Sequence, residues 1–163
     1  EVMRIFCEKC ERNVDTNVEK RKENYLVCGE QIEVDADVLL CSECGKELFC
    51  EGLDNVTLVK AYNKYRKKHK LLLPEEIKTI RVQYNLSQRS FAKLLNWGDK
   101  TIFRYENGSI QDKAHNAILL FLRQPENMEM YLRENEIQLS DKQKSKLLDN
   151  VEKLIQSKKT PDR

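Results

Sequence analysis

Four cysteines occur in two pairs with the same spacing, since two residues separate the members of each pair. The pairs are Cys7/Cys10 and Cys41/Cys44, with 30 residues between them. Two intervening residues allow a tight turn to place both thiolates on one side of a metal ion, with zinc–sulfur distances of about 2.3 Å. Gly45, directly after the second pair, suits a turn that requires positive φ. The pattern predicts a closed four-thiolate zinc site, which stabilises a fold and leaves no position for a catalytic water.

Other interpretations of the cysteines are less consistent with the sequence. A disulfide framework needs an oxidising compartment, and residues 1–4 show no basic-then-apolar signal segment. A thioredoxin-like redox site has a single C-x-x-C pair at the start of a helix, whereas this pair is duplicated. Cys28 and Cys50 have no C-x-x-C partner, so we expect small buried residues or free thiols. Exchange of Cys50 for Cys44 in the ligand set is geometrically conceivable.

Residues 1–56 predict a small β-rich zinc-binding domain around these cysteines. The strand candidates are 24–28, 31–36 and 38–41. Residues 31–38 alternate polar and apolar side chains, as a half-buried strand does. A segment of 56 residues is too short to rely on an apolar core alone. We therefore expect the metal to supply stability that the core lacks.

The net charge of +2 conceals an uneven distribution along the chain. Residues 1–56 contain 7 Lys/Arg against 14 Asp/Glu, and residues 57–125 contain 14 against 5. Residues 126–163 contain 8 of each. A basic segment is expected of a domain that binds a polyanion, although charge blocks also occur as plain solvated faces.

Residues 57–72 predict a linker helix between the acidic segment and the rest of the chain. The apolar residues Leu58, Val59, Tyr62 and Tyr65 recur at helical spacing. The basic run over 65–70 either contacts phosphates or forms a solvated helix end.

Residues 73–125 predict a helix-turn-helix domain. Pro74 suits the start of a first helix, and Ser87 is a good N-cap for a second helix over 88–95. The turn at 96–98 precedes a third helix that ends before Gly108, and a fourth helix reaches about 122. Two short helices joined by a glycine-containing turn are typical of the helix-turn-helix motif.

The motif assigns DNA-binding roles to particular residues, because the N-terminal part of its second helix reads base edges in the major groove. Lys100, Thr101 and Arg104 lie on this part of the third helix of the domain. Lys and Arg suit the O6/N7 edge of guanine, and the Thr methyl suits that of thymine. Gln88 and Arg89, at the start of the preceding helix, are expected at phosphates.

Two alternatives concern single residues. An ion pair of Arg104 with Glu106 or Asp99 is the alternative to base contact, and it would remove Arg104 from the DNA surface. Of the two histidines, His69 and His115, neither has a metal-ligand or base–nucleophile partner nearby in the sequence. We expect His115 to be a packed or capping residue.

Residues 86–95 and 100–108 resemble the Xre-like, phage-repressor type of helix-turn-helix. The cysteine pairs ahead of it resemble the YgiT-type zinc finger of MqsA-type antitoxins, and together the resemblance covers residues 1 to about 125. It implies a structural zinc domain that binds a toxin and a helix-turn-helix domain that dimerises and represses the toxin–antitoxin operon. It also implies the two cysteine pairs as ligands, and Lys100 and Arg104 as recognition-helix positions. Lys100 departs from the family, where an amide is more familiar.

Residues 126–163 predict a C-terminal helical extension beyond the simple family pattern. A short helix is indicated around 128–132 and another around 147–155, with a break over 135–140. The Trp97-Gly98 turn and the segment 111–116 resemble variants found beside Panacea-type (SocA-like) antitoxin domains.

The predicted fold class is mainly α with a small β-rich zinc module. The predicted function is a cytoplasmic, homodimeric repressor that binds zinc and double-stranded DNA and is the antitoxin of a toxin–antitoxin pair. The alternative is a zinc- or redox-sensing regulator of a phage or mobile element without a toxin partner, with Cys28 and Cys50 as reactive thiols. No nucleophile–base set or phosphate-binding glycine loop indicates an enzyme, and no apolar run approaches the ~20 residues of a membrane span.

Overall fold

The computed structural model describes residues 3–160, which form four strands and seven helices. The chain divides into two compact units at the boundary between His69 and Lys70. The strands lie in the first unit and six of the helices in the second. This agrees with the predicted fold class at the level of a small β-rich module and a mainly α remainder.

An antiparallel sheet with the order β1-β2-β3-β4 forms the centre of the first unit. Its strands are β1 (Arg4–Cys7), β2 (Arg12–Val27), β3 (Glu30–Cys41) and β4 (Glu47–Leu48). A two-residue turn joins β2 to β3, with φ of 49° at Cys28 and 80° at Gly29, as a type I′ hairpin turn requires.

The long hairpin differs from the short strands expected over 24–41. β2 and β3 pair without interruption from Thr16↔Cys41 to Val27↔Glu30. Because β2 is polar along most of its length, its sequence has little apolar alternation. It is a strand because β3 supplies its hydrogen-bonding partner.

The helix α1 (Glu51–Lys68) belongs to the first unit and packs on β3. Thr57 and Ala61 are buried on the helix. The β3 residues of one face are also buried, namely Ile32, Val34, Ala36 and Val38. The segment 57–72, which the sequence suggested as a linker, is therefore mostly part of a helix that covers the sheet.

The basic end of α1 is paired with the hairpin. Lys68 and His69 both contact the carboxylate of Glu30, with 2.7 Å between His69 Nε2 and Glu30 Oε2. Both contacts lower the pKa of Glu30, and the hydrogen bond from Lys68 has the larger effect. Counted over residues 1–69, the first unit has 12 Lys/Arg and 14 Asp/Glu. The strongly acidic balance of residues 1–56 is thus largely offset within the same unit.

Six helices build the second unit around one apolar core. They are α2 (Pro74–Gln83), α3 (Gln88–Leu94), α4 (Thr101–Glu106), α5 (Lys113–Leu122), α6 (Pro125–Glu134) and α7 (Asp141–Lys159). Their fully buried side chains include Ile77, Phe91, Leu94, Ile102, Leu119 and Leu122. Burial of this apolar surface is the main source of the unit's stability.

Local chemistry defines the ends of the short helices. Residues with positive φ follow α2, α3 and α4, namely Asn85 (53°), Asn96 (57°) and Gly108 (113°), and this conformation is common where helices end. Ser87 Oγ accepts a 3.0 Å hydrogen bond from Ser90 N and caps the start of α3.

The C-terminal helices complete the same core. Met128 and Leu132 of α6, and Leu147 and Val151 of α7, are buried in the cluster formed by the preceding helices. The Tyr131 hydroxyl donates a 2.9 Å hydrogen bond to the carbonyl of Leu94. Residues up to the end of α7 are therefore integral to the helical unit and are not a separate appendage.

Candidate metal centre and nucleic-acid interface

The four paired cysteines converge at one end of the sheet. Their Sγ atoms all lie within 4.8 Å of one another. The Cys7–Cys44 distance is 3.6 Å and the Cys10–Cys41 distance is 3.8 Å. A tetrahedral zinc site with bonds of about 2.3 Å has sulfur–sulfur distances of about 3.8 Å. The cluster therefore has the size of a four-thiolate metal site.

Strand ends and two matching turns place these thiols. Cys7 ends β1 and Cys41 ends β3, while Cys10 and Cys44 lie in the turns after these strands. In each turn the residue after the second cysteine has positive φ, 55° at Glu11 and 69° at Gly45. Glycine at the second position was the expected residue, whereas the same conformation at Glu11 had no signal in the sequence.

The electrostatics of the cluster favour a bound cation. The backbone N–H of Cys44 donates to Cys41 Sγ at 3.4 Å and is the main cause that lowers the pKa of Cys41 to about 7. The pKa of Cys10 shifts in the opposite direction, because the contact of Cys10 with Cys44 and its burial raise this pKa to about 12. Four adjacent thiols cannot all ionise without a compensating positive charge. A divalent metal ion bound by the four cysteines would supply that charge.

The other two cysteines lie outside the cluster. Cys28 is exposed in the β2–β3 turn, and Cys50 is half-buried before α1, where its N–H donates to Asp54 Oδ2 at 3.2 Å. All six cysteines lie within residues 3–160 and are free thiols. Neither Cys28 nor Cys50 belongs to the group of side chains that are close enough to share a metal ion.

The residues predicted for DNA binding lie around α3 and α4. Gln88 and Arg89 begin α3, Lys100 immediately precedes α4, and Thr101 and Arg104 lie on α4. Lys100 and Arg104 are exposed. The adjoining residue Ile102 is fully buried. The cationic face of α4 therefore points away from the core.

The two ion pairs considered for Arg104 are not formed. Asp99 pairs instead with Arg89 at 3.0 Å, and Glu106 pairs with Arg81 at 2.7 Å. Within residues 3–160, Arg104 makes no side-chain ion pair. Its guanidinium is thus available to an external partner.

A known protein family matches the part of the chain that includes the cysteine cluster, α3 and α4. Residues 3–133 match the family described as the antitoxin component of bacterial toxin–antitoxin systems, MqsA. The chain belongs to the MqsA antitoxin family. The match confirms the predicted resemblance to MqsA-type antitoxins, while the resemblance to Panacea-associated variants stays a prediction. No curated protein matches the chain.

The family match covers most of the antitoxin but not its last helix. It includes the cysteine cluster and the helices through most of α6, and it ends before α7. None of the helices within residues 3–160 combines the length and apolar character that a membrane span requires.

Sequence reasoning missed two supports of α4 in this antitoxin. Arg81 of α2 forms a bidentate pair with Glu106 at 2.9 and 2.7 Å and donates to the Leu86 carbonyl at 2.9 Å. Both charged side chains are mostly buried, with exposed fractions of 13% and 4%. No local sequence pattern predicts an ion pair between two residues that are 25 positions apart.

The second support is an aromatic cluster beside the turn that precedes α4. The His115 ring stacks on Trp97 with centroids 3.7 Å apart, and its Nδ1 shares a 2.7 Å hydrogen bond with the Tyr105 hydroxyl. His115 is therefore a packed residue, as expected. The cluster joins α5 to both ends of the predicted recognition segment.

Proposed function

We propose that this MqsA-family antitoxin is a zinc-containing, sequence-specific DNA-binding protein that represses its own operon as a cytoplasmic homodimer. In this proposal α3 and α4 are the two helices of a helix-turn-helix motif, and α4 lies in the major groove. Cys7, Cys10, Cys41 and Cys44 hold one structural zinc ion. Four thiolates with sulfur spacings of 3.6 and 3.8 Å support zinc, which favours such a tetrahedral shell.

The observation that carries the DNA-binding proposal is the availability of the cations at the start of α4. Lys100 and Arg104 are exposed, and the nearby carboxylates of Asp99 and Glu106 are engaged by other arginines. The start of α4 exposes cationic side chains, while Ile102 of the same helix is buried in the core. This is the arrangement that a helix needs to read base edges. Gln88 and Arg89 then lie beside the phosphates of the same duplex.

Replacement of Arg104 by Ala is expected to weaken binding to the specific duplex by about 1–3 kcal/mol and to relax discrimination at one base position. The physical reason is the loss of two hydrogen bonds to one base edge. The measurement is a titration of the duplex upstream of the chain's own gene and of variants changed at single positions. Arg133→Ala is the matched control, because Arg133 lies on α6 beside Glu129 and Glu152 at 3.5 Å. Unchanged discrimination in Arg104→Ala would show that α4 does not read bases.

The first unit is the proposed toxin-binding part. The family description names an antitoxin, which implies a toxin partner. The first unit has its own apolar cluster around the cysteines and a slightly acidic balance of 12 Lys/Arg and 14 Asp/Glu. Zinc held by four thiolates adds two further negative charges. Such a unit is better suited to a protein partner than to DNA.

A fragment Lys70–Arg163 is expected to bind the upstream duplex with an affinity equal to or above that of the full chain. The two units have separate cores, so the helical unit does not need the sheet. The fragment Glu1–His69 is expected to bind the toxin encoded beside it and no DNA. A cut at 56/57, the boundary suggested by the sequence, would divide α1 and damage the first unit.

The measurement is a titration of both fragments against duplex DNA and toxin at two salt concentrations. A Lys70–Arg163 fragment that is folded but has lost most of its DNA affinity would place the zinc unit within the DNA-binding surface.

A further inference from the structure

A cavity lined by both polar and apolar side chains lies between the beginning of α3 and the C-terminal helix α7. Its volume is about 270 Å³. One wall belongs to the segment from the end of α2 to α3, and the other to α7 and the residues before it. The polar lining residues include Asn85, Ser87, Ser90, Gln143, Lys146 and Asn150.

The chemistry of this cavity suits an anion. Hydroxyl and amide groups come from Ser87, Ser90, Asn85 and Asn150, and Lys146 supplies an ammonium group. No carboxylate is found among the described residues that line it. Lys146 is exposed, and within residues 3–160 it forms no ion pair. By contrast, Lys158 on the same helix lies 3.7 Å from Glu126.

The position of Lys146 is fixed by its helix. The next residue, Leu147, is buried in the apolar core, as is Val151 one turn later. A capping box holds the start of α7, in which Gln143 N donates to Ser140 Oγ at 3.2 Å and Ser140 N donates to Gln143 Oε1 at 3.1 Å. The Lys146 side chain therefore extends from a helix that is packed on the core.

The cavity lies beside the residues that are proposed to contact the DNA backbone. Ser87 and Ser90 flank Gln88 and Arg89, the residues proposed to lie beside the phosphates. A cation on the facing wall of the same cavity is therefore next to the proposed path of the DNA backbone. Most of the contacts that give DNA-binding proteins their affinity are made to phosphate groups. Each phosphate that a Lys neutralises contributes to the salt dependence of binding.

We propose that Lys146 contacts a backbone phosphate of the bound duplex, so that α7 extends the DNA-binding surface beyond the part of the chain that matches the family. The contact rests on the proposed function, in which α3 and α4 bind DNA. Lys146 provides affinity without base discrimination, and Gln143 supplies a neighbouring amide donor from the same wall.

The test compares full-length Lys146→Ala, Lys146→Arg and Lys158→Ala on the duplex upstream of the chain's own gene and on a scrambled duplex of equal length. Lys146→Ala is expected to weaken binding to both duplexes by the same factor and to make the slope of log K against log salt shallower by about one unit per chain. Its deficit should then be about threefold larger at ~50 mM than at ~200 mM salt. Lys146→Arg and Lys158→Ala are expected to behave as the unchanged protein.

Several outcomes would overturn the proposal. The first is an unchanged slope of log K against log salt in Lys146→Ala, and the second is a loss of affinity for only one of the two duplexes. The third is an equal loss of affinity in Lys146→Arg, because this result would indicate that the shape of the side chain matters and not its charge. Arg104→Ala, measured in the same titration, distinguishes failure of the Lys146 contact from failure of the proposed function. If Arg104→Ala loses discrimination while Lys146→Ala is unchanged, only the α7 contact is excluded. If the unchanged protein does not prefer the upstream duplex and Arg104→Ala has no effect, the proposed function fails and this inference fails with it.

Discussion

Replacement of Cys41 by Ser is expected to abolish zinc binding and to unfold the first unit, while the helical unit stays folded. Cys41 is buried, and its sulfur accepts a hydrogen bond from Cys44 N. The buried cluster around the site is small, and two of its five buried members are the proposed ligands Cys7 and Cys41. Structural zinc supplies about 10–16 kcal/mol of apparent binding free energy to small zinc domains, so its loss exceeds what this core can replace.

Zinc content per chain and the number of unfolding transitions measure this result. The unchanged protein is expected to contain one zinc per chain, and Cys41→Ser none. Cys28→Ser is the matched control, because Cys28 is exposed in the hairpin turn and lies outside the cluster. Full zinc content in Cys41→Ser would contradict the assigned site. A double replacement of Cys41 and Cys50 then tests whether Cys50 has taken the vacant position.

Replacement of Glu106 by Ala is expected to destabilise the helical unit by about 3–5 kcal/mol. Glu106 is the bidentate partner of Arg81, and only 4% of its side chain is exposed. Its removal leaves the Arg81 guanidinium buried with a single remaining acceptor, the Leu86 carbonyl. Because Glu106 ends α4, the same change should also loosen the helix that is proposed to enter the major groove.

Chemical denaturation of the variants provides the measurement. Asp99→Ala is the matched control, since it removes a carboxylate from the Arg89–Asp99 pair, which has a similar distance of 3.0 Å but exposed fractions of 70% and 50%. An exposed pair contributes at most about 1 kcal/mol. The double replacement Arg81→Met/Glu106→Leu should recover much of the loss, because it leaves no buried charge. Equal costs for Glu106→Ala and Asp99→Ala would refute a special role for the buried pair.

The structure also changes how the charge pattern is interpreted. Along the chain, the basic run at the end of α1 lies within the basic segment 57–125, whose composition is expected of a polyanion-binding domain. In three dimensions Lys68 and His69 both contact Glu30, and Lys64 donates to the Glu33 carbonyl at 2.6 Å. A cation that already has a partner must give up that partner before it can contact DNA. Within residues 3–160, Lys100, Arg104 and Lys146 form no ion pair, whereas Lys68 is paired with Glu30. Arg89 would have to exchange only its exposed pair with Asp99, and such pairs are weak.

The sequence by itself determined the features that depend on neighbouring residues. The C-x-x-C spacing specified two metal-binding turns, because each turn needs only a few adjacent residues. Ser87, Asn96 and Gly108 marked the limits of α3 and α4 for the same reason, since caps and left-handed terminators act within one helical turn. The family resemblance was likewise visible in short motifs.

Only the tertiary structure decided the features that join distant residues. β2 is a polar segment that becomes a strand because β3 pairs with it, and α1 is assigned to the first unit by its packing on β3. The Arg81–Glu106 pair and the cavity between Ser87 and Lys146 join residues separated by 25 and 59 positions. No local propensity encodes such contacts, because their free energy arises only when the folded chain buries both partners together.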